Sequence, residues 1–219
     1  MTADRQPRGE SRLADRVVLQ GTVDFTMMYA AHDAFCRDLD RFVASSASGR
    51  PWTPVDHDRW ATFTTQLHIH HRAEDDALWP PLRERPLDAA GVATLDEMER
   101  EHARIDPLLE QVGAAVQAED LSLAHAGMCA LRDELAAHVR HEENAALPLV
   151  ETHLGPPGWT AFTATFRETQ GIRGAATYFP WLLEDAPDEV RSKVLGVLPP
   201  PARLLYRLVW APSYRRNHR

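Results

Sequence analysis

One arrangement of histidine and glutamate occurs twice in this chain of 219 residues. In each copy a histidine is followed, 38 or 36 residues later, by the pattern His-x-x-x-Glu. The six residues are His32, His70, Glu74, His102, His138 and Glu142. A single His-x-x-x-Glu is common by chance, but two copies, each led by a histidine at nearly the same distance, indicate a site for two metal ions between helices.

Four segments carry apolar residues at alternating spacings of three and four, which predicts four amphipathic helices. These segments cover residues 25–42, 60–77, 95–116 and 121–149. Pro80 and Pro81 are expected to end the second helix, because proline cannot continue a helical hydrogen-bond ladder. No alternating strand pattern is present. The sequence therefore predicts an all-α fold, an up-down-up-down four-helix bundle with additional C-terminal helices.

The sequence divides the chain into three parts: a tail, the bundle and a C-terminal extension. Residues 1–16 are polar and rich in arginine, which predicts a flexible N-terminal tail, and residues 17–154 make the bundle. Residues 155–219 contain further apolar helical segments, and we predict that they pack on the bundle. Two alternatives for this extension are a lid over the site and, for its basic last segment, contact with an anionic membrane surface.

All six repeated residues lie on the apolar stripes of their helices. A buried carboxylate without a partner costs several kcal/mol, so the group must be compensated internally. In antiparallel helices the four histidines can lie at one level, and both glutamates are displaced by roughly 6 Å toward the same end. Metal ions held by imidazole and carboxylate supply the compensation, whereas a structural role is the simpler interpretation only for a single core histidine.

Five further residues lie close enough to the pattern to add a ligand or to support one. They are Tyr29, Glu99, Met98, His71 and His141. Tyr29 and Glu99 each precede the leading histidine of their repeat by three residues, but a core aromatic and a surface carboxylate are the commoner roles. Met98 fits core packing. We place His71 and His141 off the apolar stripes, at the edge of the site.

Composition excludes several classes of protein. The net charge of −8 argues against general nucleic-acid binding. No apolar run approaches the roughly 18 residues of a membrane-spanning helix, and the N-terminus lacks the apolar core of a signal peptide. We therefore expect no integral membrane segment and a cytoplasmic location, where Cys36 and Cys129 would be free thiols.

Residues 22–154 resemble hemerythrin-like domains with HHE cation-binding motifs. The segments that carry the resemblance are MMYAAHDAF, LHIHHRAEDDALWPPL, MEREHARIDPLL and LAAHVRHEENAALPLV. The resemblance implies a four-helix bundle around two iron ions joined by an oxo or hydroxo bridge. It implies nitrogen ligation by the four histidines and bridging by the two glutamates, although the ligand types alone also admit manganese or zinc.

Two positions depart from the oxygen-carrying members of that family. Those proteins have a fifth histidine ligand where this chain has Met98, and an aspartate five residues after the last histidine instead of Glu142 at four. Fewer nitrogen ligands leave open metal positions, which favours reaction over reversible oxygen carriage.

The resulting prediction is a non-haem di-iron protein that binds and reacts with dioxygen or peroxide and draws on an electron donor. Two alternatives are a protein that binds oxygen, nitric oxide or iron without turnover and an oxidase or oxygenase acting on a small molecule. A structural metal bundle is a further alternative, and the pattern itself leaves these classes open.

Overall fold

The computed structural model describes residues 19–217, in which helices alternate with short connections and no strand occurs. The predicted N-terminal tail lies outside this range. The four long helices are α1 (Thr26–Ala47), α2 (Pro54–Ala77), α4 (Ala89–Gln117) and α5 (Leu121–His141), with a short α3 (Trp79–Arg83) between α2 and α4. The all-α prediction is confirmed.

Side-chain caps determine where three of these helices begin. Thr53 accepts a hydrogen bond from the backbone of Asp56, whose carboxylate accepts one from the backbone N–H of Thr53, so α2 starts with a reciprocal capping box. Asp88 caps α4, and Asp120 caps α5 three residues after α4 ends. The short link makes α4 and α5 antiparallel neighbours. They approach closely because position 127 is glycine, where a Cβ would lie 2.8 Å from Val112.

The second helix ends just before Pro80 and Pro81, as expected, but another short helix follows it. α2 ends at Ala77, but the two prolines open α3 instead of leading into a loop. Proline is tolerated in the first turn of a helix, because the N–H groups there have no intrahelical acceptor in any case.

The fourth helical segment continues beyond α5 with widened turns that periodicity did not predict. It passes through a π-helical segment (Glu142–Ala146), α6 (Leu147–Leu149) and a second π-helical segment (Val150–Leu154). Pro148 has no N–H to donate to the carbonyl of Asn144, and in an α-helix its ring would clash with that carbonyl. A wider turn relieves this clash, so we attribute the first π-helical segment to Pro148.

Two apolar clusters fill the bundle, one on each side of the repeated polar residues. One contains Phe35, Leu67, Ile105 and Leu135. The other contains Met28, Ala73, Met98 and Ala146. The first set follows the histidines of α1 and α4 and precedes those of α2 and α5, as an up-down-up-down bundle requires. The polar residues therefore form one layer between two apolar ones.

The C-terminal helices pack on this bundle. They are α7 (Gly155–Leu182), α8 (Asp188–Val197), α9 (Pro200–Leu205), a π-helical segment (Tyr206–Trp210) and α10 (Ala211–Asn217). Gly171, with φ of 57°, kinks α7. The indole N–H of Trp181 donates to Asp38 at 2.7 Å, and Gln170 donates to Gln66 at 2.6 Å. Among helices formed by residues 19–217, none combines the length and apolar character needed to cross a bilayer.

Candidate metal centre

The six residues of the repeat meet in the middle of the bundle, and all of them are buried. Each glutamate lies close to a histidine, in one case on the same helix and in the other on a different helix. Glu74 Oε1 is 3.1 Å from Nε2 of His70 on the same helix, and Glu142 Oε2 is 3.0 Å from Nε2 of His32 on α1. The Nε2 atoms of His32 and His70 are 3.3 Å apart. The helices thus bring nitrogen and oxygen atoms that can bind a metal close to one another.

These groups divide into two clusters of potential metal ligands. His32, His70, Glu74 and Glu142 each place a ligand atom within 4.8 Å of the others. His71, His102 and His138 form the second cluster by the same measure.

The glutamates reach toward both clusters. Glu74 Oε2 lies 3.5 Å from Nε2 of His102, and Glu142 Oε2 lies 3.9 Å from Nε2 of His138. Two carboxylates between two groups of imidazoles can hold a pair of cations and link them.

Carboxylates behind the histidines fix the orientation of three rings. Glu143 accepts a hydrogen bond from Nδ1 of His32 at 2.8 Å, and Asp75 accepts one from Nδ1 of His102 at 2.9 Å. A proton held on Nδ1 leaves Nε2 free to face the centre and makes it a better donor to a metal. Each of these acids bonds to the leading histidine of the other repeat, so the two halves support one another.

Glu101 completes this outer layer. It accepts from Nδ1 of His138 through one oxygen and from Nδ1 of His141 through the other, both at 2.8 Å. His141 is partly exposed, so this carboxylate joins a buried ring to one at the surface.

The helical spacing did not identify these three acids, although the sequence repeat contains two of them. An acidic residue directly follows each repeated glutamate: Asp75 follows Glu74, and Glu143 follows Glu142. The repeat is therefore His-x-x-x-Glu-acid. Glu101 has no such counterpart, because the equivalent position before His32 is Ala31.

Several buried polar atoms of the centre have no hydrogen-bond partner among residues 19–217. A metal that fits this centre would have to bind them. They are both carboxylate oxygens of Glu74 and of Glu142, and Nε2 of His102 and of His138. An unsatisfied buried polar group costs about 1–3 kcal/mol, and a charged one costs more. Cations with mixed nitrogen and oxygen ligation would satisfy these six atoms together, so the residues fit a metal centre.

Burial and neighbouring charges displace the pKa values of these groups. Burial, together with the charges of Glu142 and Asp75, raises the pKa of Glu74 well above its usual range. Burial and the neighbouring imidazoles lower the pKa of His70 well below 6.5. Burial also acts to lower the pKa of His32, but the charge of the nearby Glu142, together with the charge and hydrogen bond of Glu143, outweighs it and raises the value to about 9.

The five accessory candidates lie at different distances from the centre and in different surroundings. Tyr29 packs among apolar side chains, and its hydroxyl accepts a hydrogen bond from the backbone of Leu19. Met98 is fully buried in the same apolar cluster. Glu99 is half exposed and pairs with Arg83 on the surface, so it is not brought to the centre.

The two accessory histidines also differ from each other. His141 lies at the edge of the centre, bonded to Glu101. His71, expected at the edge as well, is buried among the other rings. The spacing already allowed this position, because His71 is four residues after Leu67 and three before Glu74, both on the apolar stripe.

The chain matches one known protein family, over the part that contains this centre. The family model described as the hemerythrin HHE cation-binding domain matches residues 23–150, more than half of the chain. The chain belongs to the hemerythrin HHE family. No curated protein and no solved structure matches it.

The HHE domain contains all six repeated residues and their three supporting acids, and α7 to α10 follow it. Membership in this cation-binding family implies metal binding, and the two clusters supply the residues for it.

Proposed function

We propose that this hemerythrin-like protein holds two iron ions in its bundle and reacts there with dioxygen or peroxide. The observation that carries the proposal is the position of Glu74 and Glu142, each near histidines of both clusters. The family supports iron among the metals that such ligands admit. When bound, the iron pair supplies Lewis acidity and redox chemistry.

The protein contributes charge and orientation. Glu74 and Glu142 must be ionised to bind cations, and bound cations would offset the cost of two buried carboxylates in one layer. Glu143, Asp75 and Glu101 keep the Nδ1 protons of three rings in place, so each Nε2 is directed to the centre without reorganisation.

The apolar clusters on both sides keep bulk water from the polar layer. The ring of Phe35 lies 5.3 Å from the ring of His70 and 5.1 Å from that of Trp181 on α7. A C-terminal helix therefore contributes to the apolar wall on one side of the centre. A dry wall of this kind favours small neutral ligands such as dioxygen over ions.

Metal analysis of three variants tests the site. His70→Ala and Glu142→Ala should each lose most of the bound metal, because each removes a ligand from the buried cluster. His68→Ala is the matched control, since His68 lies two residues before His70 but is 58% exposed and should keep wild-type metal content. Full metal retention in both cluster variants would refute the assignment.

The reactivity is tested on the iron-loaded wild type. Optical spectra of the anaerobically reduced protein are recorded before and after addition of oxygen, and then of peroxide. Irreversible oxidation with catalytic loss of peroxide or oxygen supports an enzyme. A stable adduct that is reversed by removing oxygen would instead establish binding without turnover, the alternative function.

A further inference from the structure

His71 occupies a place that neither packing nor hydrogen bonding explains. Its side chain is 5% exposed, and both of its ring nitrogens are buried without a hydrogen-bond partner among residues 19–217. A neutral imidazole carries one N–H that needs an acceptor and one nitrogen that needs a donor. Leaving both nitrogens unsatisfied destabilises the fold, so a core histidine with only a packing role is disfavoured here.

The geometry directs this ring to the second cluster. It stacks on His102, with ring centroids 4.0 Å apart and an angle of 10° between the planes. It lies nearly perpendicular to His138, with centroids 5.3 Å apart. One of its nitrogens is within 4.8 Å of ligand atoms of both rings. Imidazoles from α2, α4 and α5 thus bring three potential ligand nitrogens within 4.8 Å of one another.

We infer that His71 is a ligand of the second metal ion and gives that ion a third nitrogen. This inference rests on the proposed two-metal function and extends it. Without His71, each metal would have two histidines and a share of both glutamates. With it, the ion near His102 and His138 has three nitrogens, and the ion near His32 and His70 has two. The repeat itself does not provide this ligand twice, because the position equivalent to His71 is Val139.

A first test counts ligating rings in the wild-type protein and needs no substitution. The protein is loaded with Zn²⁺ as a diamagnetic probe, and its histidines are labelled with ¹⁵N. NMR should show five imidazoles with the shift of a metal-bound nitrogen. Two bound zinc ions with only four such rings would overturn the inference and leave the proposed function standing. Failure to bind a second zinc ion would count against both.

A second test assigns the fifth ring. Co²⁺ titration of the wild type and of His71→Phe, which preserves an aromatic ring beside His102, measures the two affinities and the ligand-field absorption. We expect the second Co²⁺ to bind at least about tenfold more weakly in the variant, with a changed absorption spectrum. His68→Ala is the control. A variant with two wild-type affinities and the wild-type spectrum would show that His71 does not bind the metal.

Discussion

We expect Glu184→Gln to loosen the C-terminal helices from the bundle, because Glu184 joins several elements through one carboxylate. Arg59 on α2 binds both of its oxygens, at 2.9 and 3.0 Å. Arg41 on α1 binds at 3.0 Å, and the hydroxyl of Tyr214 on α10 donates to it at 3.2 Å. Glutamine removes the negative charge and can satisfy only some of these donors.

The pKa of Glu184 provides the magnitude and its pH dependence. Burial acts to raise this pKa, but hydrogen bonding and charge from Arg59, and the charges of Arg41 and Arg37, lower it from 4.5 to about 2. The full shift corresponds to about 3 kcal/mol, and solvent screening of this partly exposed group reduces it to about 1–2 kcal/mol. Because the folded-state pKa is depressed, this stabilisation is present above about pH 4.5 and is lost as pH falls toward 2.

Urea unfolding of wild type and variant, at matched metal content and a series of pH values, measures this difference. The gap in unfolding free energy should be about 1–2 kcal/mol near pH 7 and should shrink as pH is lowered below about 4.5. The control is Glu189→Gln, since Glu189 is 79% exposed and forms only a surface pair with Lys193. A gap of equal size at acidic and neutral pH, or no gap at neutral pH, would refute the electrostatic reasoning.

Three further outcomes follow from the same contacts. Glu101→Gln should weaken metal affinity by about 10–100-fold, because Nδ1 of His138 loses its charged acceptor; competition with a chelator measures this, and equal affinity would contradict it. Trp181→Phe keeps an aromatic side chain, although a smaller one, and removes the N–H donor to buried Asp38. It should cost about 1–3 kcal/mol in urea unfolding, and an unchanged stability would count against the role of that bond. Removing the metals should lower the calorimetric midpoint and reloading should restore it, since the buried carboxylates lose their counter-charges; identical midpoints would argue against cations in the layer.

The fold and the core of the centre follow from the sequence because both depend on helical spacing. Apolar residues at spacings of three and four place one face of each helix in the core. A polar residue on such a face must then meet a partner from another helix, and the repeat supplies six of them. The structure brings these six into one layer. Within residues 19–217 no disulfide joins Cys36 and Cys129.

The features that helical spacing did not predict depend on contacts between helices or on local backbone conflicts. α2 packs against α7 as well as the bundle, so its buried face is wider than a single stripe and includes Gln66. The widened turns after Glu142 arise from the local conflict between Pro148 and the helix backbone. The partners of Asp75 and Glu143 lie on other helices, so only the three-dimensional arrangement identifies which histidine each one orients.

The repeat is symmetric in its four histidines, its two glutamates and the acid that follows each glutamate, but not in the residues around them. Each half contributes two histidines, one glutamate and one acid that supports the other half. Two positions break this equivalence: His71 corresponds to Val139, and Glu101 corresponds to Ala31. Both differences enrich the cluster around His102 and His138, through an extra nitrogen and an extra carboxylate behind one ring. With His71 as a ligand, the metal in that cluster is the more completely ligated of the two. The metal beside His32 and His70 then retains more open positions for an external ligand.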